Sequence, residues 1–278
     1  MIKKIGSVLL ALGLVGGFVG CQNNDKTSNE QNLGISNKKE QKEGNKAQKD
    51  EMIVFAAASM TEVLDELKEE FEKENPNISI SFNFDSSGAL KTQIESGAEA
   101  DVFVSAAKKQ MDELEESDLI EKNTRIDLLE NEISLAVSEN GKDIKSFEDL
   151  ETDKLEKIAL GNEDVPVGQY SEEVLKNLGI WESIQDKVSF GSNVKEVTSW
   201  LDENVVDCGI VYKTDAKIAG LDIVAVVDDS MLENKVIYPA AVLKNAKDKD
   251  SAQKYLDFLQ SDKASEIFEK YGFKPLAK

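Results

Sequence analysis

Ile53-Val54-Phe55-Ala56-Ala57-Ala58-Ser59-Met60-Thr61-Glu62 decides the fold class of this chain. Its first five residues form an unbroken apolar run, as in a strand buried on both faces. Met60, Val63, Leu64, Leu67 and Phe71 then recur at helical spacing until Asn75-Pro76 stops the pattern. Strand, tight turn and amphipathic helix in that order open an α/β unit. Ile78, Ile80, Phe82 and Phe84 next alternate with polar residues, as a half-buried strand does. Further strands are expected at 101–105, 133–137, 157–161, 188–191, 208–212, 223–227 and 236–243, with helical patterns between most of them. About nine strands is generous for one doubly wound sheet, so two α/β lobes are expected, with ligand bound outside the carboxyl ends of strands. Two packing helices should close the chain around Tyr255, Leu256, Phe258 and Leu259 and then Ile267, Phe268 and Tyr271.

Upstream of this region the chain reads differently. Lys3 and Lys4 precede an apolar stretch from Ile5 to Val19 that is broken by glycines and stops at Gly20-Cys21. That pattern is an export signal over residues 1–20, too short and too glycine-rich for a membrane span of roughly 20 apolar residues. Phe18-Val19-Gly20-Cys21 resembles the bacterial lipobox, in which the cysteine is diacylated, although Phe18 stands where leucine is usual. An ordinary secretory signal with a chance cysteine is the alternative. Residues 21–50 are polar and low in apolar content, so they read as the lipidated Cys21 followed by a disordered tether. The expected location is the outer face of the cell membrane. With Cys21 consumed, Cys208 has no disulfide partner and is expected as a small core residue in the run Val205 to Val211.

Charge and composition exclude several classes. The net charge is −21, or −23 once Lys3 and Lys4 leave with the signal, which disfavours nucleic acid as a partner. Histidine is absent, which removes Ser-His-Asp and Cys-His catalysis and histidine-based zinc sites. Neither Ser59 nor Ser87 lies in a G-x-S-x-G elbow, so no enzyme and no cofactor are expected. Arg125 is the one arginine, which nearly excludes a bidentate clamp on phosphate; it is expected as a structural residue between the lobes.

Hydroxyl residues stand where predicted strands hand over to helices, at Ser59 and again in Asp85-Ser86-Ser87-Gly88-Ala89-Leu90. Free N–H groups and the positive dipole end make a helix start able to hold an anion. Plain capping is the competing reading: Ser59 and Glu62 fit a capping box, and Ser87 before Gly88 fits an N-cap. Val165-Pro166-Val167-Gly168-Gln169 and Gly191-Ser192-Asn193-Val194-Lys195 read as two further helix starts. Four such starts meeting in one cleft would form a neutral cage; four scattered ones would only cap helices.

The string Val54 to Thr61, VFAAASMT, resembles the start of the molybdate-binding proteins of ABC importers, which have the type 2 periplasmic binding protein fold. Asp85 to Leu90, Gln93-Ile94-Glu95-Ser96-Gly97, Ala100 to Ala106, Val165 to Gly168, Gly209-Ile210-Val211-Tyr212, Tyr238-Pro239, Ile267-Phe268 and Tyr271-Gly272-Phe273 continue the likeness in order, over about residues 52–276. The resemblance implies a two-lobed α/β fold with a hinge of two crossover strands, near Asn131 to Leu135 and Lys235 to Pro239. Lobe 1 would comprise 51–132 plus 237–278, and lobe 2 residues 133–236. It further implies an oxyanion held by neutral donors: Ser59 and Ser87 by hydroxyl and N–H, Val167 and Val194 by N–H, and Tyr212 by hydroxyl. The metal of the oxyanion would be held through its oxygens, with no direct protein ligand.

A cage of donors without acceptors rejects a protonated oxyanion, which disfavours hydrogen phosphate and leaves sulfate, molybdate and tungstate. The expected function is therefore capture of molybdate or tungstate by a monomer that closes on a hinge and hands the ion to an importer permease and its ATPase. Acidic surface on both lobes could meet basic permease loops. A receptor for another oxyanion such as sulfate, and a surface lipoprotein for adhesion or scaffolding, are the alternatives.

Overall fold

The computed structural model describes residues 50–276, which belong to one compact unit. The signal, Cys21 and the tether up to residue 49 lie outside the described residues; Asp50, expected in the tether, instead begins the first strand. In chain order the elements are β1 (Asp50–Ala57), α1 (Thr61–Glu74), β2 (Ile78–Asp85), α2 (Ser87–Glu95), β3 (Val102–Val104) and α3 (Lys108–Glu116). There follow β4 (Ile126–Asn131), β5 (Ile133–Val137), β6 (Ile158–Gly161), α4 (Pro166–Asn177), α5 (Trp181–Ile184), β7 (Val188–Gly191) and α6 (Val194–Asp202). The chain ends with β8 (Cys208–Tyr212), α7 (Lys213–Ile218), β9 (Asp222–Val226), β10 (Val236–Val242), α8 (Lys249–Leu259), α9 (Asp262–Tyr271) and β11 (Lys274–Pro275).

These strands form two mixed sheets, ordered β11-β4-β10-β3-β1-β2 and β7-β6-β8-β5-β9. The chain leaves the first sheet through Glu132 and returns to it at Val236, so each sheet anchors one lobe. β1 is buried on both faces: Val54 and Ala56 join the larger core, while Phe55 packs with Leu90, Phe103 and Met111 on the opposite face. That two-sided burial is why its sequence is continuously apolar. α1 turns Val63, Leu64, Leu67 and Phe71 inward, and the Asn75 side-chain amide donates to Phe71 O at its end, just ahead of Pro76. Cys208 is buried in β8, as expected of a small core residue.

Two strands went unforeseen. β4 hides its period because the ladder to β10 slips between Tyr238 and Pro239, leaving Leu128 without a partner of its own and burying the adjacent Leu128 and Leu129 together. β11 has only two residues and carries no readable pattern. Arg125 also departs from expectation. It does not join the lobes; it pairs with Asp112 and Glu115 of α3, each at 2.5 Å, within the first lobe.

Strand register sets the location of the helix starts. β1 and β2 run parallel with Ala57 opposite Asp85, so the turn after β1 lies beside the start of α2. β6 and β7 run parallel with Gly161 opposite Gly191, which sets the starts of α4 and α6 side by side. The two ends face one another closely: Gly88 N–H donates across to Asp164 O at 3.1 Å. A Cβ on Gly88 would stand 2.3 Å from that carbonyl oxygen. Gly88→Ala should therefore push the lobes apart, seen as a larger radius of gyration in small-angle scattering with unchanged far-UV dichroism; an unaltered radius would contradict the contact.

Candidate functional site

The four helix starts meet. Ala57, Ala58, Ser59, Asp85, Ser86, Ser87, Ala106, Val165, Pro166, Asn193, Val194 and Tyr212 line one small, partly open cavity between the lobes, with a free volume of only about 10 Å³. Ser59, Ser87, Val194 and Tyr212 among the residues singled out from the sequence are thus on its wall. Val167 is not; it follows the lining Pro166 as the second residue of α4 and is fully buried.

Neither serine acts as a helix cap. Ser59 sits inside the 3-10 turn Ala58–Met60, and α1 starts without a side-chain cap. The cap of α2 is Ser86, whose Oγ accepts from Ala89 N–H at 3.2 Å, so Ser87 is the first helical residue. The capping reading fails for both because the strand ends place them one step away from the capping position. At α6 the cap is Asn193, whose side chain accepts from the N–H groups of Lys195 and Glu196. Val194 N–H is left over, as are those of Ser87 and Val167, each in a first turn with no intrahelical acceptor.

Hydrogen-bond direction makes the hydroxyls donors. Ser87 Oγ accepts from Ala106 N–H at 2.9 Å, so its own proton is free to point at the cavity. Ser59 is set by a longer chain of bonds. Asn131 Oδ1 accepts from Glu132 N–H at 2.8 Å, which orients the amide so that Nδ2 must donate. One Nδ2 proton goes to Tyr238 Oη at 3.2 Å and the other to Thr214 Oγ1 at 3.0 Å. Tyr238 Oη lies 3.0 Å from Ser59 Oγ, a pair in which either hydroxyl can donate; with Tyr238 donating, the Ser59 proton is left for the cavity. Tyr212 packs edge-on against Tyr238, its hydroxyl is hydrogen-bonded to that of Tyr238, and it also reaches Ala106 O at 3.5 Å, a long bond that a better acceptor would replace.

Charge is kept off the wall. Among the described residues no basic side chain lines the cavity. Asp85 is its one carboxylate, and it is turned to Ser86 N–H at 2.7 Å. Burial raises the pKa of both tyrosine hydroxyls well above the usual value, so each keeps the proton it would donate. No cluster of side chains suited to a bare metal ion occurs among the described residues, and no helix there is long and apolar enough to cross a membrane.

The family profile described as bacterial extracellular solute-binding protein matches residues 52–274. This chain belongs to that family. It is 35% identical to YvgL of Bacillus subtilis, assigned as an ABC transporter substrate-binding lipoprotein, over 98% of this chain and 99% of that one. It is also 35% identical to the molybdate-binding protein ModA of Haemophilus influenzae, over 80% of this chain and 89% of that protein. Among solved structures, the substrate-binding domain assigned to a molybdenum ABC transporter from Clostridium difficile superposes with a TM-score of 0.63 at 37% identity, over 81% of this chain and 99% of that one. The periplasmic molybdate-binding protein of Azotobacter vinelandii shares the fold, with a TM-score of 0.73 at 21% identity over 82% and 100% of the two chains.

Reading the sequence of this solute-binding protein missed Asn131, Thr214 and Tyr238 as the residues that orient Ser59. Tyr238 was visible only within the Tyr238-Pro239 likeness, and nothing local ties it to Ser59, 179 residues away. Asp215, beside Thr214, is fully buried, and burial lifts its pKa to about 6 against the opposing pull of Lys195. Its folded pKa lies above the unfolded value, so the folded state holds the extra proton, and stability is lost as pH rises from about 4 through 6. Asp215→Asn removes that dependence. The stability difference should shift in the variant's favour, by on the order of 2 kcal/mol, between pH 4 and pH 7 in urea unfolding; parallel pH profiles would contradict the burial argument.

Proposed function

We propose that this protein captures molybdate, and with it the nearly isosteric tungstate, outside the cytoplasm and delivers it to an ABC permease and its ATPase. The observation that carries this reading is the polarity of the cavity: hydroxyls of Ser59 and Ser87 each held by one neighbouring polar group, unused N–H groups at three helix starts, and no cation on the wall among the described residues. A fully deprotonated tetrahedral dianion offers acceptors in every direction and suits such a wall; a protonated oxyanion brings a donor that finds no partner. Ser59, Ser87, Val194 and Tyr212 would contact the ion, with Val167 giving its N–H from the second position of α4. Charge-assisted bonds of this kind contribute roughly 1.5–3 kcal/mol each.

The molybdate-binding relatives and the 35% identity to a lipoprotein along almost the whole chain support the remaining parts of the proposal. Residues 1–20 are a cleaved signal, Cys21 carries the lipid, and the polar residues to about 50 tether a monomeric receptor to the outer face of the membrane. Residues 51–132 with 237–278 make lobe 1 and 133–236 lobe 2, closing on the ion. The protein performs no chemistry on its ligand and needs no cofactor.

Isothermal titration of the purified protein with molybdate, tungstate, sulfate and phosphate tests the ligand. One-to-one binding of the first two, weak sulfate binding and no phosphate binding is the expected result; sulfate alone would overturn the ligand, and no binding would overturn the receptor. Tyr212→Phe should weaken molybdate binding about ten- to a hundredfold with the fold unchanged, by loss of one charge-assisted donor. Tyr238→Phe should cost less, about three- to tenfold, because it frees Ser59 to turn rather than removing it; equal affinity to wild type would contradict the oriented chain of bonds.

A further inference from the structure

Three charged residues behind the cavity tie its walls together. Lys195, next to the lining Val194, reaches out of α6 to Glu62 of α1, with Nζ 2.9 and 2.7 Å from the two carboxylate oxygens. Glu62 belongs to the lobe of the first sheet, three residues after Ser59, whereas Lys195 belongs to the lobe of the second. The same ammonium lies 3.1 Å from Oδ1 of Asp215 in α7, three residues after Tyr212. The start of α6 also packs on the 3-10 turn that carries Ser59.

An exposed Lys–Glu pair would contribute little, since solvent screens it and ordering two long side chains opposes it. This pair differs through its third member. Asp215 is fully buried, its Oδ1 faces the Lys195 ammonium, and its Oδ2 receives a 3.5 Å bond from Thr214, so its charge depends on Lys195. Lys195 is held in place by Asp215 within its own lobe, which reduces the entropy lost when Glu62 arrives from the other. Burial lowers the pKa of the ammonium, but Asp215 and Glu62 more than offset this, so it stays charged. Opening the cleft would carry Glu62 away from a lysine that remains with Asp215.

We propose that Lys195 is a positioning residue for anion capture: bridging Asp215 beneath it and Glu62 across the cleft, it latches the lobes shut over the ion without touching it. This rests on the oxyanion-receptor reading. The latch acts on the closed state alone, so its loss speeds release of the ion more than it slows entry. By the same linkage, a bound ion strengthens the bridge as much as the bridge strengthens binding.

The test is stopped-flow and calorimetric measurement of molybdate binding to wild type, Lys195→Gln, Lys195→Arg, Glu62→Gln and the Lys195→Gln/Glu62→Gln double variant, with melting temperatures alongside. Lys195→Gln and Glu62→Gln should each weaken binding about tenfold, mainly through faster dissociation. The double variant should be no weaker than the poorer single one, and Lys195→Arg should recover most of the affinity. Wild-type affinity and dissociation rate in Lys195→Gln, or losses that multiply in the double variant, would overturn the latch while leaving the receptor intact. Absence of molybdate binding by wild type itself would overturn the receptor reading and the latch with it.

Discussion

Taking a dianion out of water into a protein of net charge −21 is the constraint on which the arrangement depends. An ion so transferred loses strong hydration, and a nearby cation is the usual compensation. Here no basic side chain lines the cavity among the described residues, so oriented dipoles must replace the water. Helix starts supply such dipoles because their first N–H groups have no internal partner. A single start would do little; several aimed at one point form a site, and the parallel pairings β1–β2 and β6–β7 provide that aim.

Direction matters as much as number. A serine hydroxyl can accept or donate, and a wall of undecided hydroxyls would take protonated and deprotonated oxyanions alike. Asn131 reduces the ambiguity for Ser59. Its amide is fixed by Glu132 N–H and donates to Tyr238, which favours Tyr238 donating onward, while its second proton goes to Thr214, whose hydroxyl points toward Asp215. It stands at the last residue of β4, where the chain leaves the first sheet, so one amide ties the crossover to the cavity wall. The same group of bonds reaches Lys195 through Asp215, linking proton direction on one wall with charge pairing across the cleft.

Much of this was legible in the chain. The α/β alternation and the helix starts follow from apolar period and breaker residues, because each is a local property, while the two-lobed plan came from the strand count together with the family resemblance. β4 escaped because a ladder irregularity turned two neighbouring leucines inward and erased its period. Taken singly, Ser59 and Ser87 read more readily as caps than as ligands, and only the folded structure showed that Ser86 caps α2 and that nothing caps α1 through a side chain. Val167 stands just off the cavity wall rather than on it. Apart from the Glu132–Asn131 bond, the bonds that orient Ser59, and the Lys195–Glu62 bridge, join residues 83 to 179 apart in the chain. Spacing carries no trace of such pairs.

Neutral donors alone should hold the ion. A high-resolution crystal structure of the molybdate complex tests this most directly. Every oxygen of the ion should lie within hydrogen-bond distance of Ser59, Ser87, Tyr212 or the N–H groups at the starts of α2, α4 and α6. Lys195 should bridge Glu62 and Asp215 out of contact with the ion. An ammonium or carboxyl group bonded directly to the ion would contradict it.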